Sequence, residues 1–593
     1  MYGFFNRLLK IDVGERSFSI RELSDGELEE TLGGKGLATK LLLEENPPGV
    51  DPLAPENNLI IAVGPVTDTL IYGSCRHGIF TKSPQTGLYS ESYSGGKAAE
   101  MISRTGYDAI VIRGASLEPI FIEISDETVR FHSAVDLWGM DTYATEDKVL
   151  EKIGKKRTGG DSQRAAALVI GPAGENLVRF ALIENDYWRS AGRTGVGAVL
   201  GSKKIKALCF HGNRKRPLAF PDEVAAFARE ILEKGKTDAG AAKYRKLGTP
   251  MMVEVLNKAQ AFPTRYWSKG VLDGWEAISA ESLNERCDVI PRACARCFIA
   301  CGRLSTVKEG PHKGLQIEGP EYETLYAFGG LCVIKSIEEI IYLNDLCDRL
   351  GIDTITAGNL AGLTIEASRR GKIKEKLDYG DANAIAALLK QIAYRRGIGA
   401  ILADGIRSAA QTWGLEDIAI HVKGMEPAGY DPRVFKGMGL GYATSDRGAC
   451  HLRSTFYKAE LAGIIAPDRI DGKAELFIDF EDRLILADCL ITCRFYRDLY
   501  SWKELSSIVH MTTGLDWGKE EIGKFSNHVL SRCREFNLRE GMMQSDDSLP
   551  DRFHNEPLPE SGKVIAKADL ERMIGDYYQL RGWDEQGRLA ILK

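Results

Sequence analysis

The sequence predicts an α+β protein in which a β-rich N-terminal part is followed by mostly helical segments. Three observations predict this arrangement: short apolar runs in the first 212 residues, a polar linker after them, and helical patterns beyond it. At 593 residues the chain is too long for one compact core, because domains usually hold about 150 residues. We therefore expect about three domains, at 1–212, 213–420 and 421–593.

Four apolar runs of the N-terminal part have the length of strands. Each is short and is bounded on at least one side by Gly, Pro or Asp, which favours strands over helices. The runs span 59–63, 109–112, 120–124 and 166–170. Glycine clusters lie between and after them, where the backbone can turn sharply or approach a ligand closely. These clusters are GGKG (33–36), SGG (94–96), GPAG (171–174) and GRTGVGAVLG (192–201).

The segment HGNRKRPLAFPDE (211–223) is polar, carries two prolines and predicts a linker. After it, apolar residues recur at helical spacing, and Gly351 is placed to end one of the helices. The predicted helices span 223–234, 337–350, 384–396, 475–490 and 570–581.

Composition excludes several classes of function. The chain carries 77 basic and 83 acidic side chains, a net charge of −6, so it has no general basic field for nucleic acid. No apolar run reaches the roughly 18 residues of a membrane span, and charged residues interrupt the N-terminus where a secretory signal would be apolar. We therefore expect a cytoplasmic protein, whose 12 cysteines are thiols or metal ligands and not a disulfide framework.

Cys294, Cys297 and Cys301 form the motif C-x2-C-x3-C, and thiolates this close in sequence indicate a metal site. Structural zinc usually needs a second pair of Cys or His ligands nearby. The motif therefore favours a [4Fe–4S] cluster with three local thiolates and one distant one, with zinc and chance clustering as the alternatives. The candidates for the distant ligand are Cys287, Cys332, Cys347, Cys450, Cys489 and Cys493.

Acidic residues and one histidine are candidates for acid–base chemistry. EGPEYET contains Glu318, Glu321 and Glu323 just after the cysteine motif, and a buried carboxylate there could act as general acid or base. Solvent exposure or capping of the next helix would explain these residues equally well. His451 lies in the glycine-rich segment GYATSDRGACHLR and could hold a substrate oxygen, or it could be a hydrogen-bonded structural histidine.

Two segments share a spacing at the end of a helical pattern. Asp348 and Asp353 bracket DRLGID, and Asp488 and Cys493 bracket DCLITC. Carboxylates in these positions can accept hydrogen bonds from a heterocycle such as a pterin ring. Helix ends are rich in Asp for other reasons, so the spacing alone is weak support.

Taken together, these segments resemble the aldehyde:ferredoxin oxidoreductase family of tungstopterin enzymes over nearly the whole chain. The resemblance implies an N-terminal double β-sheet domain that cradles two pyranopterins, followed by two mainly helical domains. It also implies that tungsten, or molybdenum in its place, is held by pterin sulfurs and by no protein side chain. The matching segments include GGKGLA (33–38), TKSPQTG (81–87), GYDAIVIRG (106–114), IGPAGEN (170–176), GRTGVGAVLGSKKIKA (192–207), CARCFIACGR (294–303), CDRLGIDTITAG (347–358), GYATSDRGACH (441–451) and DCLITC (488–493).

The resemblance also implies roles for individual residues. Cys493 becomes the fourth cluster ligand beside Cys294, Cys297 and Cys301, and Glu323 and His451 become the catalytic pair next to the metal. A Mg²⁺ ion that bridges the pterin phosphates is expected, although Tyr93 and Ser190 replace the asparagine and alanine usual at that site. The implied cofactor-binding residues are Arg76, Tyr93, Gly95, Gly96, Arg189, Ser190, Gly192, Arg193, Gly195, Asp348, Asp353, Asp488 and Arg453.

The implied reaction is oxidation of an aldehyde to a carboxylic acid, or the reverse. Electrons would pass through the [4Fe–4S] cluster to ferredoxin or to a partner iron–sulfur subunit. Two alternatives stay open: a catalytic subunit of a larger reductase complex of the benzoyl-CoA reductase type, and a non-catalytic electron-transfer subunit. Tyr342 stands where some members have an iron-bridging glutamate, so a homodimer and a hetero-oligomer both remain open.

Overall fold

The computed structural model describes residues 1–160 and 163–589. Two six-stranded sheets form within the N-terminal part of the chain. The first sheet has the order β2-β1-β6-β3-β4-β5 and contains β1 (Arg7–Asp12), β2 (Ser17–Glu22), β3 (Leu59–Ala62), β4 (His77–Lys82), β5 (Tyr89–Ser94) and β6 (Ala109–Arg113).

The second sheet has the order β11-β10-β9-β12-β7-β8. Its strands are β7 (Ile120–Ile124), β8 (Val129–Ser133), β9 (Ala166–Val169), β10 (Ile183–Asn185), β11 (Arg189–Ala191) and β12 (Ile205–Phe210). Each sheet contains one parallel pair, β1 with β6 and β7 with β12, and its other pairs are antiparallel.

The remainder of the described chain is mostly helical, apart from a small sheet of β13 (Cys287–Arg292), β14 (Gly302–Val307) and β15 (Gln316–Glu318). None of the helices in the described ranges is long and apolar enough to cross a bilayer. The helices are α1 (Asp25–Thr31), α2 (Gly34–Glu45), α3 (Ala98–Arg104), α4 (Thr142–Lys152), α5 (Pro172–Glu175), α6 (Val196–Ser202), α7 (Pro221–Thr237), α8 (Ala239–Leu247), α9 (Met252–Lys258), α10 (Ala280–Arg286), α11 (Tyr322–Thr324), α12 (Ile337–Leu350), α13 (Thr354–Arg369), α14 (Ala382–Ala393), α15 (Gly399–Leu402), α16 (Ile406–Trp413), α17 (Lys436–Thr444), α18 (Tyr457–Leu461), α19 (Lys473–Leu490), α20 (Trp502–Thr513), α21 (Lys519–Arg539), α22 (Asp551–Asn555) and α23 (Lys567–Arg581).

The two large sheets pack face to face because successive side chains of a strand point to opposite faces. Ile110 and Ile112 of β6 belong to the same buried cluster as Ile122 of β7 and Leu208 of β12. Val111, which lies between the two β6 isoleucines, belongs to a different cluster that also contains the apolar residues of α2. Each face of the first sheet is therefore covered, one by the second sheet and one by helices.

The predicted α+β class is confirmed, with sheets first and helices after them. The four predicted strands correspond to β3, β6, β7 and β9, and the five predicted helices to α7, α12, α14, α19 and α23. Gly351 ends α12 in the left-handed conformation, with φ of 78°. The small sheet around the cysteine motif was not predicted, since its strands are short and lie within otherwise helical sequence.

Candidate cofactor and active site

The C-x2-C-x3-C motif forms the loop that connects β13 to β14. Arg296 and Ala300 have left-handed φ values of 48° and 50°, so the loop turns sharply twice between its cysteines. Cys294, Cys297 and Cys301 line a cavity of about 300 Å³. Cys493, which is remote in sequence, lines the same cavity. The fold therefore brings together the four cysteines that the resemblance implies.

Gly73 joins the two cysteine-bearing segments through its backbone. Its N–H donates to the carbonyl of Arg296 at 3.0 Å, and its carbonyl accepts from the N–H of Cys493 at 2.9 Å. An added Cβ at Gly73 would lie 2.7 Å from the Tyr496 ring, and its φ is 84°. Only glycine satisfies both the conformation and the close approach.

The segment that carries Asp488 and Cys493 is also held against the N-terminal part by glycines. An added Cβ at Gly64 would lie 2.0 Å from the carbonyl oxygen of Leu490, and one at Gly34 would lie 2.3 Å from that of Cys489. The end of α19 can approach the first sheet this closely only because these positions lack a side chain. The GGKG cluster therefore helps to position the aspartate and the cysteine that follow.

Cys75 is a fifth thiol at this cavity that sequence reasoning missed. It is buried, lines the cavity, and its thiol makes a hydrogen bond with Cys294. This contact and burial raise the pKa of Cys75 well above the usual range, and the same contact lowers the pKa of Cys294. The N–H of Gly96 also donates to Cys294 Sγ, at 3.2 Å. The only feature of the sequence that could have indicated Cys75 was its position next to Arg76.

The four thiols are spread around the cavity. In the described part of the chain, no three Cys, His, Asp or Glu side chains converge closely enough to hold one metal ion. Tetrahedral zinc would require such convergence, because Zn–S bonds are only about 2.3 Å long. The preference for a [4Fe–4S] cluster therefore continues to rest on the spacing of the motif.

Two half-buried arginines supply positive charge at the cavity. Arg76 and Arg189 both line it, and Arg189 forms an ion pair with Glu318. Burial opposes the charge of Arg76, but the thiolates of Cys493 and neighbouring cysteines keep its pKa above the ordinary value. Paired charge of this kind offsets the cost of burying a thiolate-bound cluster.

The three predicted pterin-binding aspartates differ in charge environment. Asp348, in the last turn of α12, accepts from Asn344 Nδ2 at 2.7 Å, and burial and Asp345 raise its pKa well above the usual range. Asp353 begins α13 by accepting from backbone N–H groups and also accepts from Arg193 Nε at 3.1 Å. Asp348 can thus donate a proton to a ligand, whereas Asp353 is a helix cap paired with a cation.

Asp488 is held in its charged form. Burial opposes this, but Arg494 and Arg453 keep the pKa of Asp488 below its ordinary value. Arg453 Nη1 lies 3.0 Å from Asp488 Oδ2 and also pairs with Glu91. Tyr93, which lines the cavity, donates its hydroxyl to Glu91 Oε2 at 2.7 Å. Glu91, which sequence reasoning missed, therefore links two of the predicted cofactor-binding residues.

The remaining predicted residues lie just after β5, on β11 and in the turn that leads to α6. Ser190 and Gly95 line the cavity, and Gly192 lies next to Ser190, with 3.3 Å between an added Cβ and the serine Oγ. Gly195 has φ of 80°, and an added Cβ would lie 2.1 Å from the carbonyl oxygen of Arg179. Its lack of a side chain is thus required by packing within the protein.

Glu323 and His451 lie together at the cavity. Glu323 is on the short helix α11, which continues into a π-helical turn, Leu325–Leu331. Its Oε2 accepts from the N–H of Gly429 at 3.0 Å, whereas its Oε1 has no hydrogen bond and lies 3.6 Å from His451 Nε2. Burial raises the pKa of Glu323 to about 7, and it lowers the pKa of His451 well below the usual range, assisted by Arg193 and other arginines.

Several buried polar atoms of the cavity residues have no partner in the protein, and a polar cofactor or substrate would satisfy them. They belong to residues from all parts of the chain, which is the pattern expected of a shared binding site. The residues fit a polar cofactor for this reason. The atoms are Arg76 Nε, Trp188 Nε1, Glu323 Oε1, His451 Nδ1, Thr455 Oγ1 and Arg497 Nε.

By its fold and site, the chain is an α+β protein with two N-terminal sheets, a mostly helical remainder and a cysteine-lined cavity. Residues 8–212 match the family model "Aldehyde ferredoxin oxidoreductase, N-terminal domain". Residues 226–591 match the family model "Aldehyde ferredoxin oxidoreductase, domains 2 & 3". The chain therefore belongs to the aldehyde ferredoxin oxidoreductase family.

Individual relatives agree with this assignment. The chain is similar to the tungsten-containing aldehyde ferredoxin oxidoreductases of Pyrococcus furiosus and Thermococcus kodakarensis, at 34% and 35% identity, covering 99% of this chain and 98% of each relative. It is also 31% identical to an aliphatic sulfonate oxidoreductase, WOR-like subunit, of P. furiosus, covering 99% of this chain and 96% of the relative.

One solved structure has the same fold. It is the active site complex BamBC of benzoyl coenzyme A reductase with 1,5 dienoyl-CoA, and it matches this chain with a TM-score of 0.84 at 23% identity. The match covers 99% of this chain and 96% of that chain. At this identity the similarity establishes the fold alone.

Proposed function

We propose that this chain oxidises an aldehyde to a carboxylic acid with a tungsten bis-pyranopterin cofactor. The balanced reaction is aldehyde plus water to carboxylic acid, two protons and two electrons. The observation that carries the proposal is the pair Glu323 and His451, which lines the same cavity as the four cysteines. The relatives named as tungsten-containing aldehyde ferredoxin oxidoreductases support the same reaction.

The cofactor-binding roles follow from the residues of the cavity and of the surrounding ion-pair network. Cys294, Cys297, Cys301 and Cys493 would hold a [4Fe–4S] cluster. The pterins would lie against Asp348, Asp353, Asp488 and the arginines Arg76, Arg193 and Arg453, with tungsten or molybdenum bound only by pterin sulfurs. Mg²⁺ between the pterin phosphates would rely on backbone oxygens or Ser190, since Tyr93 is committed to Glu91. When bound, the tungstopterin supplies the two-electron oxidation and the cluster passes electrons singly to ferredoxin or to a partner iron–sulfur subunit.

The protein contributes proton transfer and orientation. The Glu323 carboxyl group has a pKa of about 7, so it is partly ionised near neutral pH. Its Oε1 can therefore accept a proton from water and release it. His451 is neutral because its pKa is lowered, and a neutral imidazole can donate one hydrogen bond to the carbonyl oxygen of the aldehyde. Buried aromatic walls exclude bulk water and so strengthen both interactions.

Two other candidate functions differ from the proposed one in the reaction or in the cofactors that are bound. A catalytic subunit of a larger reductase complex would reduce its substrate with electrons from added iron–sulfur subunits. A non-catalytic electron-transfer subunit would bind the cluster but no pterin. The Glu323–His451 pair favours catalysis over the second of these, because an electron relay has no need of an unpaired carboxylate oxygen in a cavity.

The test is elemental analysis of anaerobically purified protein, followed by a viologen-coupled assay with a panel of aldehydes. We expect about one tungsten and about four irons per chain and dye reduction by some aldehyde. Tungsten and iron without dye reduction by any aldehyde, but with oxidation of reduced viologen by an aromatic acyl thioester, would support the reductase. Iron without tungsten, molybdenum or pterin would contradict both enzyme readings.

A further inference from the structure

We infer that Arg497 forms an anion subsite in the cavity and that the substrate aldehyde carries a carboxylate. This inference rests on the proposed function and specifies its substrate class. Arg497 follows the turn that begins after Cys493, and it lines the same cavity as Glu323 and His451.

In the described chain, the guanidinium of Arg497 lacks a carboxylate at ion-pair distance. Among the described residues, no carboxylate lies within 4.0 Å of it, and its Nη1 donates to the carbonyl oxygen of Arg494 at 2.7 Å. Its Nε is buried without a partner. The adjacent carboxylate, Asp498, forms its ion pair with Lys458. Burial opposes the charge of Asp498, but longer-range attraction to Arg497, together with Lys458, keeps its pKa below the ordinary value. A buried guanidinium with unsatisfied N–H donors is costly unless a ligand supplies the missing charge.

Other arginines near the cavity are compensated, which makes Arg497 different from them. Arg494 and Arg453 pair with Asp488, and Arg193 pairs with Asp353. These three are therefore occupied in holding the aspartates of the cofactor site. Of the four arginines that line the cavity, Arg189 and Arg494 have a carboxylate within 4.0 Å. Arg76 and Arg497 have none among the described residues, and the charge of Arg76 is balanced by the neighbouring thiolates.

Aromatic residues connect Arg497 to the catalytic pair. Tyr457, whose hydroxyl interacts electrostatically with Arg497, stacks on Tyr430 with 4.0 Å between ring centroids. Tyr430 in turn stacks on His451, with 5.6 Å between centroids. Tyr244 forms a side-chain hydrogen bond with Arg497 and packs edge-on against Phe495. A substrate whose aldehyde lies at His451 and whose acid group lies at Arg497 would run along these rings.

The chemistry of the subsite favours a carboxylate. The planar fork of Arg matches the two oxygens of a carboxylate, and tyrosine hydroxyls can donate to the same oxygens. The aromatic side chains between Arg497 and His451 suit a substrate with a flat or short hydrocarbon body between its two polar ends. The expected substrates are therefore aldehyde acids with a short or flat hydrocarbon body.

The first test measures binding to the anaerobically purified enzyme by calorimetry. The probes are benzoate and succinate, with benzamide and succinamide as neutral molecules of similar shape. We expect the anions to bind at least 10-fold more tightly than the amides, and R497Q to lose roughly 10- to 100-fold of anion affinity. The control R483Q removes an arginine that pairs with Asp479. Arg483 shares a small adjoining cavity with Arg497 but does not line the cavity of Glu323 and His451, so R483Q should keep the preference.

The second test compares kcat/KM for 4-oxobutanoate and 4-formylbenzoate with that for the corresponding neutral amides. The acid-to-amide ratio should exceed 1 in the wild type and fall in R497Q, with partial rescue in R497K because Lys restores the charge but not the fork. Equal binding of anions and amides by the wild type, or an equal loss in R483Q, would overturn the subsite. Oxidation of neutral aldehydes without a preference for the acids would refute the subsite but not the proposed reaction. Arg497-dependent anion binding without any aldehyde oxidation would support the subsite and refute the proposed reaction.

Discussion

His451 Nε2 lies 3.6 Å from Glu323 Oε1, and burial moves the pKa values of the two groups in opposite senses from their ordinary ranges. The glutamate becomes a weaker acid and the histidine a weaker base. Near neutral pH the pair therefore carries at most one negative charge, on Glu323, and no positive charge. Two groups of this kind can divide proton acceptance and hydrogen-bond donation between them.

Replacement of Glu323 by Gln should lower kcat at least about 100-fold while the tungsten and iron contents stay unchanged, because the proton acceptor is lost. In the wild type the ionised carboxylate is the active form, so kcat/KM for the aldehyde should rise with pH and level off above about 7. The pH profile and metal analysis measure both effects.

The matched control is Glu426→Gln. Burial also raises the pKa of Glu426 to about 7, but this residue does not line the cavity. Its variant should retain the rise of kcat/KM between pH 6 and 8. A wild-type profile without that rise, or a Glu323→Gln enzyme of normal turnover, would exclude Glu323 as the proton acceptor.

Cys493→Ala should abolish the electron paramagnetic resonance signal of the reduced four-iron cluster and lower the iron content, since one thiolate ligand is missing. Cys489 is the control, because it is buried four residues earlier in the chain and does not line the cavity. Cys489→Ala should keep the signal. A normal signal in Cys493→Ala would assign the fourth ligand elsewhere, and Cys75 would then be the first thiol to test.

Tyr496→Phe should lower the reduction potential of the cluster. The Tyr496 hydroxyl accepts from the N–H of Phe298 at 3.1 Å and donates to Cys297 Sγ at 3.5 Å. A donor to a ligand sulfur stabilises the more negative, reduced cluster. Loss of a net hydrogen bond of about 0.5–1.5 kcal/mol corresponds to a shift of roughly 20–65 mV for one electron, measured by potentiometric titration.

Tyr500→Phe is the control for this shift. Tyr500 stacks on Tyr496 at 5.5 Å between ring centroids, but its hydroxyl donates to the carbonyl oxygen of Tyr72 and to no sulfur. Its variant should leave the potential unchanged. Equal shifts in the two variants would mean that packing of the aromatic stack, and not the hydrogen bond, sets the potential.

Gly64→Ala should destabilise the protein and reduce its cluster content together. The added methyl group would lie 2.0 Å from the carbonyl oxygen of Leu490, so the end of α19 and the segment to Cys493 must move. Such overpacking costs roughly 1–3 kcal/mol or more. Thermal unfolding and iron content measure the two effects, and Gly26→Ala is the control because an added Cβ there meets nothing within 4 Å. A Gly64→Ala protein with normal iron content would show that this approach does not position Cys493.

Much of the fold could be predicted from local sequence. Strands such as β7 and helices such as α12 are visible because apolar periodicity and flanking Gly or Pro are properties of adjacent residues. The cysteine motif is local for the same reason. The small sheet of β13, β14 and β15 escaped prediction because each strand is short and gains its stability from its neighbours.

The candidate site was predictable only in part. Residue types and spacing identified Cys294, Glu323 and His451 as candidates, but the choice of Cys493 among six cysteines depended on the family resemblance. Cys75 and Glu91 were missed, because neither stands in a motif. Their importance lies in contacts with residues far away in the chain, which no local pattern reports.

Local sequence was sufficient to predict the α+β class, nine of the strands and helices, the family and the cysteine motif, since each of these depends on short-range order or on a series of motifs. Which charged side chains have a partner of opposite charge depends on the tertiary structure. It paired Arg453 with Asp488, left Arg497 without a carboxylate among the described residues, and set Glu323 beside His451. The physical reason is that burial and Coulomb interactions depend on distances in space, which packing of remote segments creates.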